Sequence, residues 1–226
     1  MASHPLDNMV WNALAGPQAH LGTSNGKARR FDPDIAIFAA VEHPLDSLEP
    51  LAEIIPSGAR AGLVTTGPVI VPPEFEQVAQ GEVVQLTAEK FVPVSTAGVI
   101  FRDLNKADVP QMVDLVALTR PGPFGPRTIE MGHYVGVFDG ARLIAMTGER
   151  LRLAGFGEVS AVCTHPDYQG RGIAKALVSV IGSEIVARGE VPFLQAYTSN
   201  VAALATYTRL GFEPRCNLTF TTLQRR

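Results

Sequence analysis

Cysteine is scarce in this sequence, with only Cys163 and Cys216 among 226 residues. Two thiols this far apart form neither a metal-ligand spacing nor the disulfide framework on which small secreted domains depend. Long apolar runs are missing as well, and none approaches the ~18 residues needed to span a bilayer. The start, MASHPLDNMV, has no basic segment followed by an apolar one, so no secretory signal is expected. Neither sign of charge dominates: 19 Lys and Arg stand against 22 Asp and Glu, a net charge of -3. A dedicated nucleic-acid binder would carry a clustered basic stripe, and the short run Lys27-Ala28-Arg29-Arg30 reads as a solvated loop. These absences point to a cytoplasmic protein without nucleic-acid, membrane or metal partners.

What is present is an ordinary globular composition, 46% apolar and 18% charged, in a chain long enough for one large domain or two small ones. Up to about residue 97, short apolar runs alternate with proline and glycine. Asp34 to Val41 and Ala61 to Val71 read as buried strands. Leu45 to Ile55 places Leu45, Leu48, Leu51 and Ile55 at helical spacing. The small-residue stretch Val92 to Gly98 reads as a linker, dividing the chain into an N-terminal α/β region (1–97) and a second domain (98–226).

The second part is more legible. Val99 to Leu104 reads as a strand and Asp108 to Leu118 as a helix, with Asp108 as N-cap and Pro110 in the first turn. Pro121 to Pro126 (PGPFGP) must be a loop. Strands follow at His133 to Phe138, Arg142 to Leu151 and Gly157 to Thr164, the first two joined at Asp139-Gly140. Then come a helix (Arg171 to Ala187), a strand (Val191 to Thr198), a helix (Val201 to Leu210) closed by Gly211, and two short tail strands, Phe212 to Arg215 and Leu218 to Leu223. The fold class is α/β with a mixed, mostly antiparallel sheet.

Between strand 157–164 and the long helix lies YQGRGIAK, residues 168–175. Helix N-termini carry unpaired N–H groups and the positive end of the macrodipole, and glycines let a phosphate approach them. The P-loop pattern fails because Ala174-Lys175-Ala176 lacks its hydroxyl. The dinucleotide fingerprint fails because Lys175 stands where a third small residue belongs and Pro166 interrupts the turn. A bare glycine-rich helix start stays open. The remaining pattern, Gln169-x-x-Gly172-x-Ala174, resembles the acyl-CoA pyrophosphate loop of the GNAT N-acyltransferase superfamily. Asn200-x-x-Ala203-x-x-x-Tyr207-x-x-x-Gly211-Phe212 resembles its second conserved helix, and EVSAVCTHPDYQGRGIAKALV with PGPFGPRT is similar to the glycine N-acyltransferase-like branch. The likeness covers residues 99–220 well and the N-terminal part only vaguely, which would suit a degenerate half of the same fold.

The resemblance implies a GNAT fold and acetyl-CoA, or another acyl-CoA, as co-substrate. Backbone N–H groups of Gln169, Gly170, Arg171, Gly172, Ile173 and Ala174 would hold the pyrophosphate, and Asn200 would contact the cofactor. Val162, Cys163 and Thr164 would pair with the pantetheine arm in a cleft splayed against 191–198. Tyr207 would protonate the departing thiolate, or simply pack. Glu158 would be the general base, with Glu149 or water as rivals and His133 behind them. Cys163 reads as a packed thiol rather than a nucleophile. Phe124 and Arg127 would contact the acceptor, Arg127 by pairing a carboxylate. The expected activity is direct transfer of an acetyl or short acyl group to a primary amine. The acceptor would be a small amine or amino acid, ahead of a peptide N-terminus. A homodimer is compatible with the sequence. The competing reading is a non-catalytic acyl-CoA-binding regulatory module.

Overall fold

The computed structural model describes residues 4–226 except 45 and 46. Near the N-terminus, helix α1 (Met9–Ala15) precedes three short strands, β1 (Gly22–Ser24), β2 (Ala28–Phe31) and β3 (Ala39–Val41), which form their own antiparallel sheet. There follow β4 (Arg60–Thr65), β5 (Phe75–Thr87), β6 (Arg102–Asp103), α2 (Val109–Thr119), β7 (Tyr134–Asp139), β8 (Arg142–Leu153) and β9 (Phe156–Thr164). The chain ends with α3 (Ile173–Ala187), β10 (Val191–Tyr197), α4 (Val201–Thr208) and β11 (Glu213–Arg225).

Strands β4 to β11 build one eight-stranded sheet in the order β4-β11-β5-β10-β9-β8-β7-β6. Every neighbouring pair is antiparallel except β9 and β10. This is the mixed, mostly antiparallel α/β architecture expected from the sequence, with a small N-terminal sheet beside it. The expected division at 97/98 does not separate two sheets, because β4 and β5 flank β11 inside the main one. Strand β5 joins β10 to β11 and pairs with β11 from Glu213 to Arg225.

Strand β5 escaped the sequence reading for a physical reason. Its first half, FEQVAQG, is largely exposed and polar, with Gly81 in its interior, so it lacks the alternation of a half-buried strand. Pairing with β11 imposes the conformation that local propensity does not. The two expected tail strands are one strand with a register shift between Pro214 and Cys216. Only Ala39–Val41 of the expected strand 34–41 is extended, since Ile35 and Ala36 turn back to bond the Asp32 carbonyl. Of the run 61–71 only 61–65 are strand, the strand beginning one residue earlier at Arg60, and of 99–104 only Arg102–Asp103. The expected helix from Leu45 shrinks to a 3-10 turn at Glu49–Glu53, with Pro50 in its first turn; its start lies outside the described residues. Asp108 stands at the N-cap position of α2 as expected but makes no side-chain cap bond to it. Its carboxylate instead accepts at 2.9 Å from the N–H of Asn105, which caps the preceding 3-10 turn Lys106–Asp108.

Helix α3 lays Ile173, Leu177, Ile181 and Ile185 on the sheet, the last three with no exposed surface. The i, i+4 spacing makes one apolar stripe, and burying each such side chain contributes ~1.5–3 kcal/mol. Tyr207, Leu210 and Phe212 from α4 and the turn after it complete the same core. This packing fixes the N-terminus of α3 against the end of β9.

Candidate active site

Strands β9 and β10 pair only over Val191 to Phe193, opposite Phe156 to Glu158. Beyond Glu158 they part. The gap opens into a cavity of about 720 Å³ whose walls include Val159 to Thr164 of β9 and Gln195 to Tyr197 of β10. At its α3 end lie Gln169, Gly170, Gly172, Ile173 and Ala174, and from α4 come Ala203, Thr206 and Tyr207.

The glycine turn has open space where a phosphate would stand. Gly170 and Gly172 adopt φ of 76° and 78°, and a Cβ on either would meet no protein atom within 4 Å. No packing constraint inside the protein therefore demands glycine there; the positive φ does, and the space beyond stays open. Gly172 is the N-cap of α3 without a side-chain cap bond, so first-turn N–H groups stay available. Thr164 Oγ1 is a second unfilled position, buried in this wall without a hydrogen-bond partner. The residues present thus fit a bound acyl-CoA. The Arg171 guanidinium lies over the Tyr168 ring and bonds the Asp167 carbonyl, and the residue is not part of the wall. Asn200 caps α4, accepting from the Ala203 N–H at 3.2 Å, and also lines the cavity.

Midway along β9 the sheet is irregular. Met146 faces Cys163 and Gly148 faces Ser160, so Ala161 and Val162 together oppose Thr147. Ala161 takes φ of 51°, left-handed without being glycine, the kind of strain that clusters at functional sites. Nothing in the pattern SAVCT announces this bulge.

Tyr207 lines the cavity, and its hydroxyl has no hydrogen bond among the described residues. Burial, with Cys163 adding to it, pushes its phenol up to about 12, so the hydroxyl stays protonated and available as a donor. Cys163 is buried and its thiol is likewise raised to about 12 by burial, which leaves no thiolate for covalent catalysis.

Glu158 does not line the cavity. It has no exposed surface, and its carboxylate accepts four hydrogen bonds: from Arg150 Nε (2.9 Å) and Nη2 (2.7 Å), Leu151 N (3.2 Å) and Gln195 Nε2 (2.9 Å). No oxygen is left to take a proton without losing a donor. Glu149 is buried against Arg188, with both oxygens within 2.8 Å of Nη2, and burial raises its carboxyl despite that partner. His133 is held between Glu184 and Asp103. None of the three reaches the cavity wall.

The acceptor residues expected in the PGPFGPRT loop are placed elsewhere. Phe124 packs edge-on against Tyr134 in the core under α2. Arg127 pairs Asp32 at 2.7 Å and Glu130 at 2.8 Å, while its N–H bonds the Asp34 carbonyl. The loop is stitched there to the N-terminal segment, and only its first half, Pro121 to Pro123, reaches the cavity.

The N-terminal region instead supplies walls that sequence reasoning missed: Phe38, Val64 and Val83, with Phe220 of β11 beside them. Arg150 and Gln195 sit at the same end. The signal for Arg150 was weak but present, since a charge in the middle of a strand that buries both faces must find a partner. Among the described lining residues, Arg120, Arg150, Lys175 and Arg209 are cationic and none is a carboxylate or imidazole. No group of His, Cys, Asp and Glu that could hold a metal occurs among the described residues, nor any helix long and apolar enough to cross a membrane.

Residues 134–221 match the FR47-like protein family. A crystal structure of a putative acetyltransferase from the GNAT family of Novosphingobium aromaticivorans is 38% identical, covering 99% of this chain and 100% of that one with a TM-score of 0.92. The N-alpha-acetyltransferase RimI of Mycobacterium tuberculosis is 36% identical over 121 residues, 49% of this chain and 75% of that protein. A mycothiol acetyltransferase of Tsukamurella paurometabola is 43% identical over 60 residues, 26% of this chain and a fifth of its own length.

Proposed function

The chain belongs to the GNAT superfamily of N-acetyltransferases, and we propose that it moves an acetyl or other short acyl group from CoA to a primary amine by direct attack. The observation that carries this reading is the gap between β9 and β10, bounded by the glycine turn and by the Tyr207 hydroxyl.

The backbone of Gln169 to Ala174 would hold the pyrophosphate, and Val162, Cys163 and Thr164 the pantetheine arm, with Thr164 Oγ1 gaining a partner. The co-substrate supplies an activated acyl thioester. N–H groups of the bulged pair Ala161-Val162 are suited to stabilise negative charge developing on the acyl oxygen. The Tyr207 hydroxyl is suited to protonate the leaving sulfur. The amine's proton would leave through water, because no carboxylate lines the cavity and Glu158 is fully engaged. The finer likeness to the glycine N-acyltransferase-like branch rests on the run from Glu158 to Val178 together with the PGPFGPRT loop (Pro121 to Thr128).

Thiol release from acetyl-CoA, measured across small amines, amino acids and peptide N-termini, tests the reading. Turnover with an amine supports it. Tight CoA binding without turnover on any acceptor would instead favour a binding module.

A further inference from the structure

We propose that Arg150 and Gln195 form the acceptor clamp, and that the acceptor is a free α-amino acid with an apolar side chain. The inference rests on the acyl-transfer reading above and names the substrate class of that site.

The argument starts from one carboxylate oxygen. Glu158 Oε1 accepts both from Arg150 Nη2 at 2.7 Å and from Gln195 Nε2 at 2.9 Å, so the two side chains are neighbours held by a common anchor. Nε of Arg150 is taken by Glu158 Oε2. Its third nitrogen, Nη1, has no partner among the described residues, although the side chain is only 10% exposed and borders the cavity. A guanidinium N–H beside a cavity is free to donate to an acceptor atom of a bound molecule. Gln195 is the complement. Its Nε2 is committed to Glu158, which leaves the amide oxygen without a partner in the same wall. A donor for a carboxylate therefore stands beside an acceptor for an amine N–H, and an α-amino acid carries both groups on one carbon.

Charge points the same way. The guanidinium faces the cavity, while its counter-ion Glu158 is behind the wall with no exposed surface. Polyamines and other polycations would meet cations there and no carboxylate. The rest of this end is apolar: Phe38, Val64, Val83 and Phe220. Phe38 also lies 4.8 Å from the Arg150 guanidinium carbon, ring centre to carbon, and holds it in place. Three of these four residues come from the N-terminal region, which gives that region a role as the side-chain pocket. Glu158 is then a positioning residue that orients both arms of the clamp.

The test compares matched acceptors at saturating acetyl-CoA. Phenylalanine and leucine are expected to exceed phenethylamine and 3-methylbutylamine, which lack the carboxylate, by about 10,000-fold or more in kcat/KM, the discrimination a polar site achieves when a hydrogen-bonding group is missing. Glycine, which fills no side-chain pocket, and spermidine are expected to trail as well. Arg150→Lys keeps the charge against Glu158 but loses the fork. It should raise KM for the amino acid about tenfold or more and leave KM for acetyl-CoA unchanged. Equal rates for the amino acid and its decarboxylated amine would overturn the proposal, as would an unchanged amino-acid KM in the variant. If no acceptor turns over, calorimetric titration of the CoA-saturated protein with N-acetylphenylalanine decides separately. Saturable binding weakened by Arg150→Lys supports the clamp even though transfer has failed, and absence of binding overturns it.

Discussion

Arg150 and Glu158 form a two-pronged buried ion pair, Nη2 to Oε1 at 2.7 Å and Nε to Oε2 at 2.9 Å, at the point where β9 and β10 part. Neutralising one partner leaves a buried charge uncompensated. Glu158→Gln is therefore expected to cost about 3–5 kcal/mol, read as a fall in the denaturation midpoint. The acid limb of the pH–rate profile should persist in the variant. Its disappearance would return the base role to Glu158.

Gly172 has φ of 78° and open space beyond its Cα. Gly172→Val should cost roughly 1–2 kcal/mol through the left-handed backbone alone. The branch would also occupy the ground where the pyrophosphate is proposed to lie, so KM for acetyl-CoA should rise tenfold or more. A normal acetyl-CoA KM would sink the loop assignment.

The Tyr207 hydroxyl makes no hydrogen bond that folding depends on, and its phenol is pushed up to about 12 by burial. Tyr207→Phe should thus leave stability within about 0.5 kcal/mol of the parent. It should lower kcat about 100-fold with little change in acetyl-CoA KM. Full activity in the variant would end the proton-donor role.

His133 offers a pH test remote from the cavity. Partial burial opposes its charge, but Glu184 and Asp103 outweigh that burial and raise its pKa. The sign follows: the folded state binds the proton more tightly than the unfolded one, so the stabilisation is complete below about 6.5, the ordinary histidine value. It fades as the pH climbs through the raised folded value. The stability gap between the parent and His133→Gln should accordingly be widest near pH 6 and close in alkaline solution. A gap independent of pH would contradict this.

The glycine turn, the apolar stripe of α3, the Asn200 cap and the position of Tyr207 were all legible in the sequence. Each depends on short-range spacing: an i, i+4 stripe, a capping oxygen three residues ahead, or two glycines at a helix start. Strands β7 to β9 were legible from short strand-forming runs and the Asp139-Gly140 hairpin signal, which are local as well. By itself the sequence thus determined the α/β class and the glycine-turn end of the cavity.

Tertiary structure alone decided the opposite end of the cavity, where the acceptor is proposed to bind. The polar first half of β5 becomes strand only by pairing with β11, and that pairing brings Val83 to the cavity. Arg127 and Arg150 are both plausible carboxylate partners by residue type. Asp32 and Glu130 occupy the first, while Glu158 holds the second with one nitrogen left over. Which guanidinium is free depends on contacts between residues as far apart as Asp32 and Arg127, and no local pattern encodes them.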